Sequence, residues 1–172
     1  PMEDKYLGNA TQQVLGPLIR LIHPEICNLW AYYEAGFHNL LVVSVEERYR
    51  KEAMKTALSI MGEGQLSLTK CIITVSEDVN PRDFHAVLKA IHENFDPAYD
   101  FIMIPKVPLD TLDFTSYKMN LGSKMIIDAT RDDMEKTAKE RTFKSQDIER
   151  LLKTIDTRIT DWNILDDTLL VV

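Results

Sequence analysis

Cys71-Ile72-Ile73-Thr74-Val75 constrains this chain more than any other stretch. A strand with one wet face alternates apolar and polar residues, whereas a continuous β-branched run reads as a strand covered on both faces. Such a strand needs helical layers above and below it, so its flanks should supply helices. They do. Residues 39–45 (NLLVVSV) read as a strand, and from Arg48 the period turns helical, with Tyr49, Ala53, Met54, Ala57, Leu58 and Met61 on one face until Gly62 and Gly64 stop it. Beyond the 71–75 run, Phe84, Val87, Leu88, Ile91 and Phe95 mark an amphipathic helix. Asn80 reads as its cap, Pro81 as its first position, and Asp83 as an acid in its positive first turn. Residues 101–104 (FIMI) follow as a strand. Right-handed crossovers would lay the strands at 39–45, 71–75 and 101–104 parallel.

The flanks extend this core. Residues 9–22 read as a helix with Val14, Leu15, Leu18, Ile19 and Ile22 on one stripe, kinked or restarted at Pro17 and ended by His23-Pro24. Residues 26–33 (ICNLWAYY) join 39–45 through the short Glu34-Ala35-Gly36-Phe37-His38 connection, as in an antiparallel hairpin. Residues 105–124, with Pro105, Pro108 and Gly122, read as a long irregular stretch, and a loop of that length in a compact domain is usually functional or packed on a partner. A strand is expected at 125–128, then helices at 131–141, capped by Thr130, and from Ser145, with Ile148, Leu151, Leu152 and Ile155 on one face. The terminal Leu169-Leu170-Val171-Val172 is expected to tuck into its own core or dock on a neighbouring subunit. The expected fold class is α/β: a mixed sheet with a parallel βαβαβ core and an N-terminal hairpin, helices covering the sheet, and a helical C-terminal tail.

At 172 residues this is expected to be one domain that can bury a core without staples. A net charge of −7 and interrupted basic runs argue against a nucleic-acid partner. No apolar stretch approaches the roughly 20 residues that cross a bilayer, so no integral membrane segment is expected. Cys27 and Cys71 sit in apolar runs and read as reduced thiols of a cytoplasmic protein. The opening Pro1-Met2-Glu3 lacks an initiator at position one and reads as a cut piece of something longer.

Chemistry-bearing motifs are sparse. In "LGSKMIIDAT" (121–130), Lys124 is followed by Met125 where a phosphate loop needs a hydroxyl, and Tyr117 stands where its other glycine should be. His85 and His92 are two helical turns apart without an accompanying carboxylate motif, and His23 and His38 stand alone. The acidic run Glu77-Asp78-Val79-Asn80-Pro81-Arg82-Asp83 lacks the glycine of a calcium loop, so helix capping explains it more economically. It does leave the carboxyl end of a strand, where open α/β sheets place ligands. No serine sits in a nucleophile elbow. The pairs Asp110 with Asp113 and Asp132 with Asp133 read as solvated surface in a chain of 27 acids. Catalytic and metal-ligating residues are therefore assigned to none of these positions.

Taken in order, six segments carry a resemblance: "RLIHPEI" (20–26), "GFHNLLVVSVEERYR" (36–50), "LTKCIITVSEDVNPRDFHAVLKAI" (68–91), "DPAYDFIMI" (96–104), "PLDTLDF" (108–114) and "LGSKMIIDAT" (121–130). Together they resemble the carboxyl-terminal domain of the UbiD decarboxylases. The resemblance implies three parts: residues 1–25 as a linker helix from a preceding flavin-binding domain, 26–130 as the α/β domain, and 131–172 as a helical tail that contacts other subunits. It implies a carboxy-lyase of aromatic or other unsaturated acids, in some relatives a step of quinone biosynthesis. The family uses prenylated FMN, with a divalent metal (usually manganese) and potassium at the flavin phosphate. Those ligands and the catalytic acid belong to the preceding domain, so residues 1–172 alone are expected to bind no prenylated FMN tightly and to turn nothing over. By position in the family, Leu109 is implied to line the substrate pocket, and Lys70 and Lys124 are the candidate cofactor contacts. Glu63-Gly64-Gln65 stands where some relatives carry a basic residue, which puts a phosphate contact from that helix end in doubt. The implied partners are the chain's own flavin domain and further copies of itself. The competing reading is a free-standing α/β ligand-binding or interaction module that uses the crevice at 76–80 and the 105–124 stretch.

Overall fold

The computed structural model describes residues 2–36, 39–111, 113, 115–116, 118–131, 163–165 and 169–171. They fall in two compact units, Pro1–Asp133 and Met134–Val172. The first unit holds a five-stranded mixed sheet built from β1 (Ile26–Ala31), β2 (Leu40–Val45), β3 (Cys71–Ser76), β4 (Phe101–Pro108) and β5 (Leu121–Ala129), in the order β1-β2-β3-β5-β4. Its helices are α1 (Met2–Ile22), α2 (Glu52–Ile60) and α3 (Phe84–Asn94).

The expected α/β architecture, N-terminal hairpin included, is present: β1 runs antiparallel to β2, and β2, β3 and β5 are parallel. The third parallel strand, however, is β5. The strand at 101–104 was expected in that place, but it lies at the edge, antiparallel to β5. The reason is local. The described residues of the 109–120 connection between β4 and β5 carry no helix, and a connection of that kind returns the chain antiparallel beside the strand it leaves. β4 also has the alternation of a half-solvated edge, with Phe101 and Met103 exposed while Ile102 and Ile104 pack inward. Its register shifts between Ile104 and Val107, at Pro105 and the left-handed Lys106 (φ 56°). Such an irregular edge strand is where a strand proline fits.

The continuous run at 71–75 is buried on both faces, as its composition requires. On one side Ile72 joins Ile26, Leu41, Val43, Val45 and Ile126 beneath Ala53, Ala57 and Ile60 of α2. On the other, Ile73 and Val75 join Val42 and Ala129 beneath Val87 and Ala90 of α3. At roughly 1.5–3 kcal/mol per fully buried aliphatic side chain, this two-sided packing dominates the stability of the unit.

Three expectations of detail are corrected. The cap of α3 is Asp83, not Asn80: its side chain accepts from the backbone N–H groups of His85 (3.1 Å) and Ala86 (3.2 Å). Asn80 instead turns the chain by accepting from Arg82 N–H at 3.1 Å. The expected apolar stripe of α1 is split, because Ile19 packs on the core whereas Val14, Leu18 and Ile22 are 66%, 53% and 61% exposed. The helix runs unbroken through Pro17. It shields the sheet edge with Gln12, which accepts from Ala31 N–H at 2.6 Å and donates to its carbonyl at 3.5 Å, replacing a neighbouring strand at that point. Finally, the 105–124 stretch is largely strand, leaving 109–120 as the connection.

In the second unit, β6 (Asn163–Leu165) and β7 (Leu169–Val171) pair antiparallel. The helices expected at 131–141 and 145–155 lie almost wholly outside the described residues. The described end of the tail is strand rather than helix, because two short apolar runs separated by Asp166-Asp167-Thr168 have hairpin spacing.

Candidate functional site

The amino ends of β3 and β5 gather the residues singled out by sequence. Met125 N–H donates to the Lys70 carbonyl at 2.9 Å, one step ahead of the Cys71–Met125 pair. Lys70 and Lys124 are therefore lateral neighbours at the start of the parallel ladder. Two residues before Lys124, Gly122 lies under Leu109, the first residue after β4, which is only 4% exposed. A Cβ at position 122 would stand 2.3 Å from Leu109 Cδ1 and 2.6 Å from Ser116 Oγ. Only a glycine lets the 109–120 connection lie this close to the sheet. Gly122-Ser123-Lys124 thus forms part of β5, and the expectation of a turn ahead of a strand at 125–128 gives way to a longer strand.

Asp113 closes this corner, and its expected place on the solvated surface is wrong: it is 7% exposed. One carboxylate oxygen accepts from Lys70 Nζ at 2.8 Å and Ser116 Oγ at 2.5 Å. The other accepts from Thr115 N–H at 3.0 Å and Thr115 Oγ1 at 2.5 Å. Burial alone would raise its pKa, but the hydrogen bonds from Lys70, Ser116 and Thr115 outweigh it and hold the carboxyl well below the usual range. Lys70 also donates to Thr115 Oγ1. The sequence signal for Asp113 was the Thr115-Ser116 pair just after it, the pattern of a side-chain-capped turn. Lys124 differs. It is 5% exposed, donates to the Ser67 carbonyl, and burial pushes its pKa below the ordinary lysine value.

The carboxyl ends of the same strands carry a second polar cluster that sequence reasoning missed. Lys51, left-handed at φ 63°, reaches Asp100 and lies 3.0 Å from Asp128. Asp128, 1% exposed, also accepts from Thr74 Oγ1 (2.9 Å), Thr130 N–H (3.2 Å) and Thr130 Oγ1 (2.6 Å). The crevice at 76–80 is bridged by Arg131, whose N–H donates to Ser76 Oγ at 2.9 Å and whose guanidinium reaches Asp78 at 2.7 Å.

A third cluster fixes the junction of α1 and β1. Glu25, 3% exposed, accepts from Thr56 Oγ1 at 2.5 Å and lies 3.3 Å from His23 Nδ1 and 3.4 Å from Lys55 Nζ. Burial opposes ionisation, but Thr56, Lys55 and His23 overcome it and lower the carboxyl from 4.5 to about 2. Both cysteines are free, and burial raises Cys27 and lifts Cys71 to about 11, so both are held as thiols.

Among the described residues no group of three or more His, Cys, Asp or Glu could hold a metal ion, and no helix is long and apolar enough to cross a membrane. Lys70 and Lys124 are both engaged by acceptors of the protein itself. The described residues therefore do not form a cradle for a flavin phosphate and its metal.

The model of the 3-octaprenyl-4-hydroxybenzoate carboxy-lyase C-terminal domain (UbiD_C) matches residues 5–129. A 4-hydroxybenzoate decarboxylase from Chlamydia pneumoniae is 44% identical over 124 residues, covering 72% of this chain and 21% of that protein. Among solved structures, the vanillic acid decarboxylase of Sedimentibacter hydroxybenzoicus in an open form is similar with a TM-score of 0.67 at 25% identity, over 84% of this chain and 32% of that one. HmfF of Pelotomaculum thermopropionicum, a UbiD-class enzyme solved in complex with FMN, shares the fold with a TM-score of 0.66 at 20% identity, over 83% of this chain and 32% of that one. The chain spans about a quarter of the length of the curated relatives it matches, 27% and 21% for two of them. A family match through both polar ends of the sheet, joined to this likeness in sequence and fold, shows that the chain belongs to the UbiD family as its C-terminal domain.

Proposed function

We propose that this domain is the assembly and closure half of a decarboxylase that acts on aromatic or other unsaturated acids, and that its Leu109 side chain lines the substrate pocket formed with a preceding flavin-binding domain. The observation that carries the reading is the corner at Leu109, where an apolar side chain is held over a glycine at the mouth of an anchored loop. In the complete enzyme, prenylated FMN with manganese and potassium on the preceding domain supplies the electron sink for loss of carbon dioxide. This chain contributes positioning: Leu109 excludes water from one side of the substrate, and movement of the domain opens and closes the site. Contact of Lys70 or Lys124 with the flavin requires each to exchange Asp113 or the Ser67 carbonyl for a phosphate oxygen. The same reading makes the protein a cytoplasmic homo-oligomer and leaves its pathway open between quinone biosynthesis and other aromatic-acid metabolism.

The test is expression of the full-length protein with a source of prenylated flavin, followed by assay of carbon dioxide release from aromatic acids. The full-length protein is expected to carry the flavin and decarboxylate at least one acid, while residues 1–172 alone do neither. A full-length protein that stays colourless and inactive, or an isolated domain that retains flavin, overturns the reading.

A further inference from the structure

We propose that Asp113 and Lys70 are positioning residues: a latch that fastens the 109–120 connection to the sheet and so fixes where Leu109 stands. The inference rests on the reading that Leu109 faces the substrate pocket.

The connection between β4 and β5 turns inward at two described residues, Leu109 at 4% and Asp113 at 7% exposure, whereas Thr111, Thr115, Lys118, Met119 and Asn120 are exposed. Leu109 is the apolar anchor. Its backbone N–H donates to the Asn120 carbonyl at 3.2 Å, which closes the base of the loop, but its side chain rests on Gly122, a residue with nothing to grip it. Dispersion against a glycine floor sets a distance of approach and leaves sideways movement unopposed. The sideways restraint comes from Asp113. Its carboxylate takes three side-chain donors and one backbone donor, and three of those four belong to Thr115 and Ser116 within the loop itself. Lys70 is the fourth, and it is the donor rooted in the sheet, immediately before β3. Remove it and the loop keeps its internal shape while losing its tether to the ladder. Ser116 links the two anchors, because the hydroxyl that donates to Asp113 is also the atom that a Cβ at 122 would strike.

This arrangement differs from a surface ion pair, which contributes little. The Asp113 carboxylate is 2% exposed and Lys70 22%, so neither is well solvated and the bond is charge-assisted. A latch of this kind acts on turnover through geometry, since displacing a positioning group by about 1 Å can cost up to about a hundredfold in rate.

The test uses the full-length protein with Asp113→Asn, Lys70→Met, the double variant and Lys70→Arg. Two readouts are taken: hydrogen exchange of the 109–120 amides, and kcat and KM for an accepted acid. Either single substitution is expected to speed loop exchange about tenfold and lower kcat/KM about tenfold, and the double variant to add little, because both members serve one tether. Lys70→Arg should restore most of both. Unchanged loop exchange in the single variants overturns the latch, as does an additive double variant. Faster exchange with unaltered kcat/KM overturns its service to the pocket. A wild-type protein without decarboxylase activity sinks the decarboxylase reading instead, and the exchange data then decide the latch alone.

Discussion

The two ends of the parallel strands put the same chemistry to different uses. At the carboxyl ends, Lys51 joins Asp100 and Asp128, and both carboxylates are held by the folded core: Asp128 within β5, Asp100 immediately before β4. At the amino ends, Lys70 joins Asp113, which belongs to a connection that is otherwise exposed. One lysine clamps elements that packing already fixes; the other tethers a segment that packing alone would leave loose. In open α/β sheets the carboxyl end is the usual ligand crevice. Here that end is filled by the chain's own charges, and the segment best placed to meet a partner domain lies at the opposite end. Local stability is expected to follow this division, high around Lys51 and low around residues 109–120.

The sharpest way to break the comparison is Lys51→Met. It strands two carboxylates with side chains 3% and 0% exposed. Breaking a buried pair costs about 3–5 kcal/mol, and because Lys51 is itself a third exposed, about 2–3 kcal/mol is expected, read by denaturant unfolding. The loop's exchange should stay as in wild type. If Lys51→Met loosens residues 109–120, or costs less global stability than Asp113→Asn, the two ends do not differ as described.

Lys124 sharpens the comparison from the other side, as a lysine of the amino end held by a carbonyl rather than a carboxylate. Its charge is penalised by burial at neutral pH, so Lys124→Met is expected to change stability by no more than about 1 kcal/mol in either direction. The pH dependence carries the sign. Because its folded pKa lies below the ordinary 10.5, the penalty is fully present below the folded value and is relieved as pH rises towards 10.5. Wild type should gain stability relative to Lys124→Met across that alkaline interval. A loss there would show that Lys124 has a partner that favours its charge.

How much of this was legible follows from what each residue signals locally. β3 and α3 announce themselves because a buried strand and an amphipathic helix impose a period on the sequence, and the fold class follows from their alternation. The place of β4 was not legible, since a strand pattern carries no direction and the 109–120 connection gives no length that separates a hairpin from a crossover. Lys51 was hidden for a different reason: a left-handed lysine has no sequence signature of the kind glycine provides. Glu25, Asp113 and Asp128 look like surface acids among 27 until tertiary structure brings them donors. Leu109, Lys70 and Lys124 were found through family resemblance, and the structure adds that they occupy one corner, joined through Gly122 and Asp113.

The account's central claim is that this corner shapes a substrate pocket in a two-domain decarboxylase. The most direct measurement is the ratio of kcat/KM for a small and a bulkier aromatic acid in full-length wild type and Leu109→Ala. Lining a pocket with fewer methylenes should shift that ratio at least about tenfold towards the bulkier acid. A ratio that stays the same in a folded, flavin-loaded variant would place Leu109 away from the substrate and contradict the account.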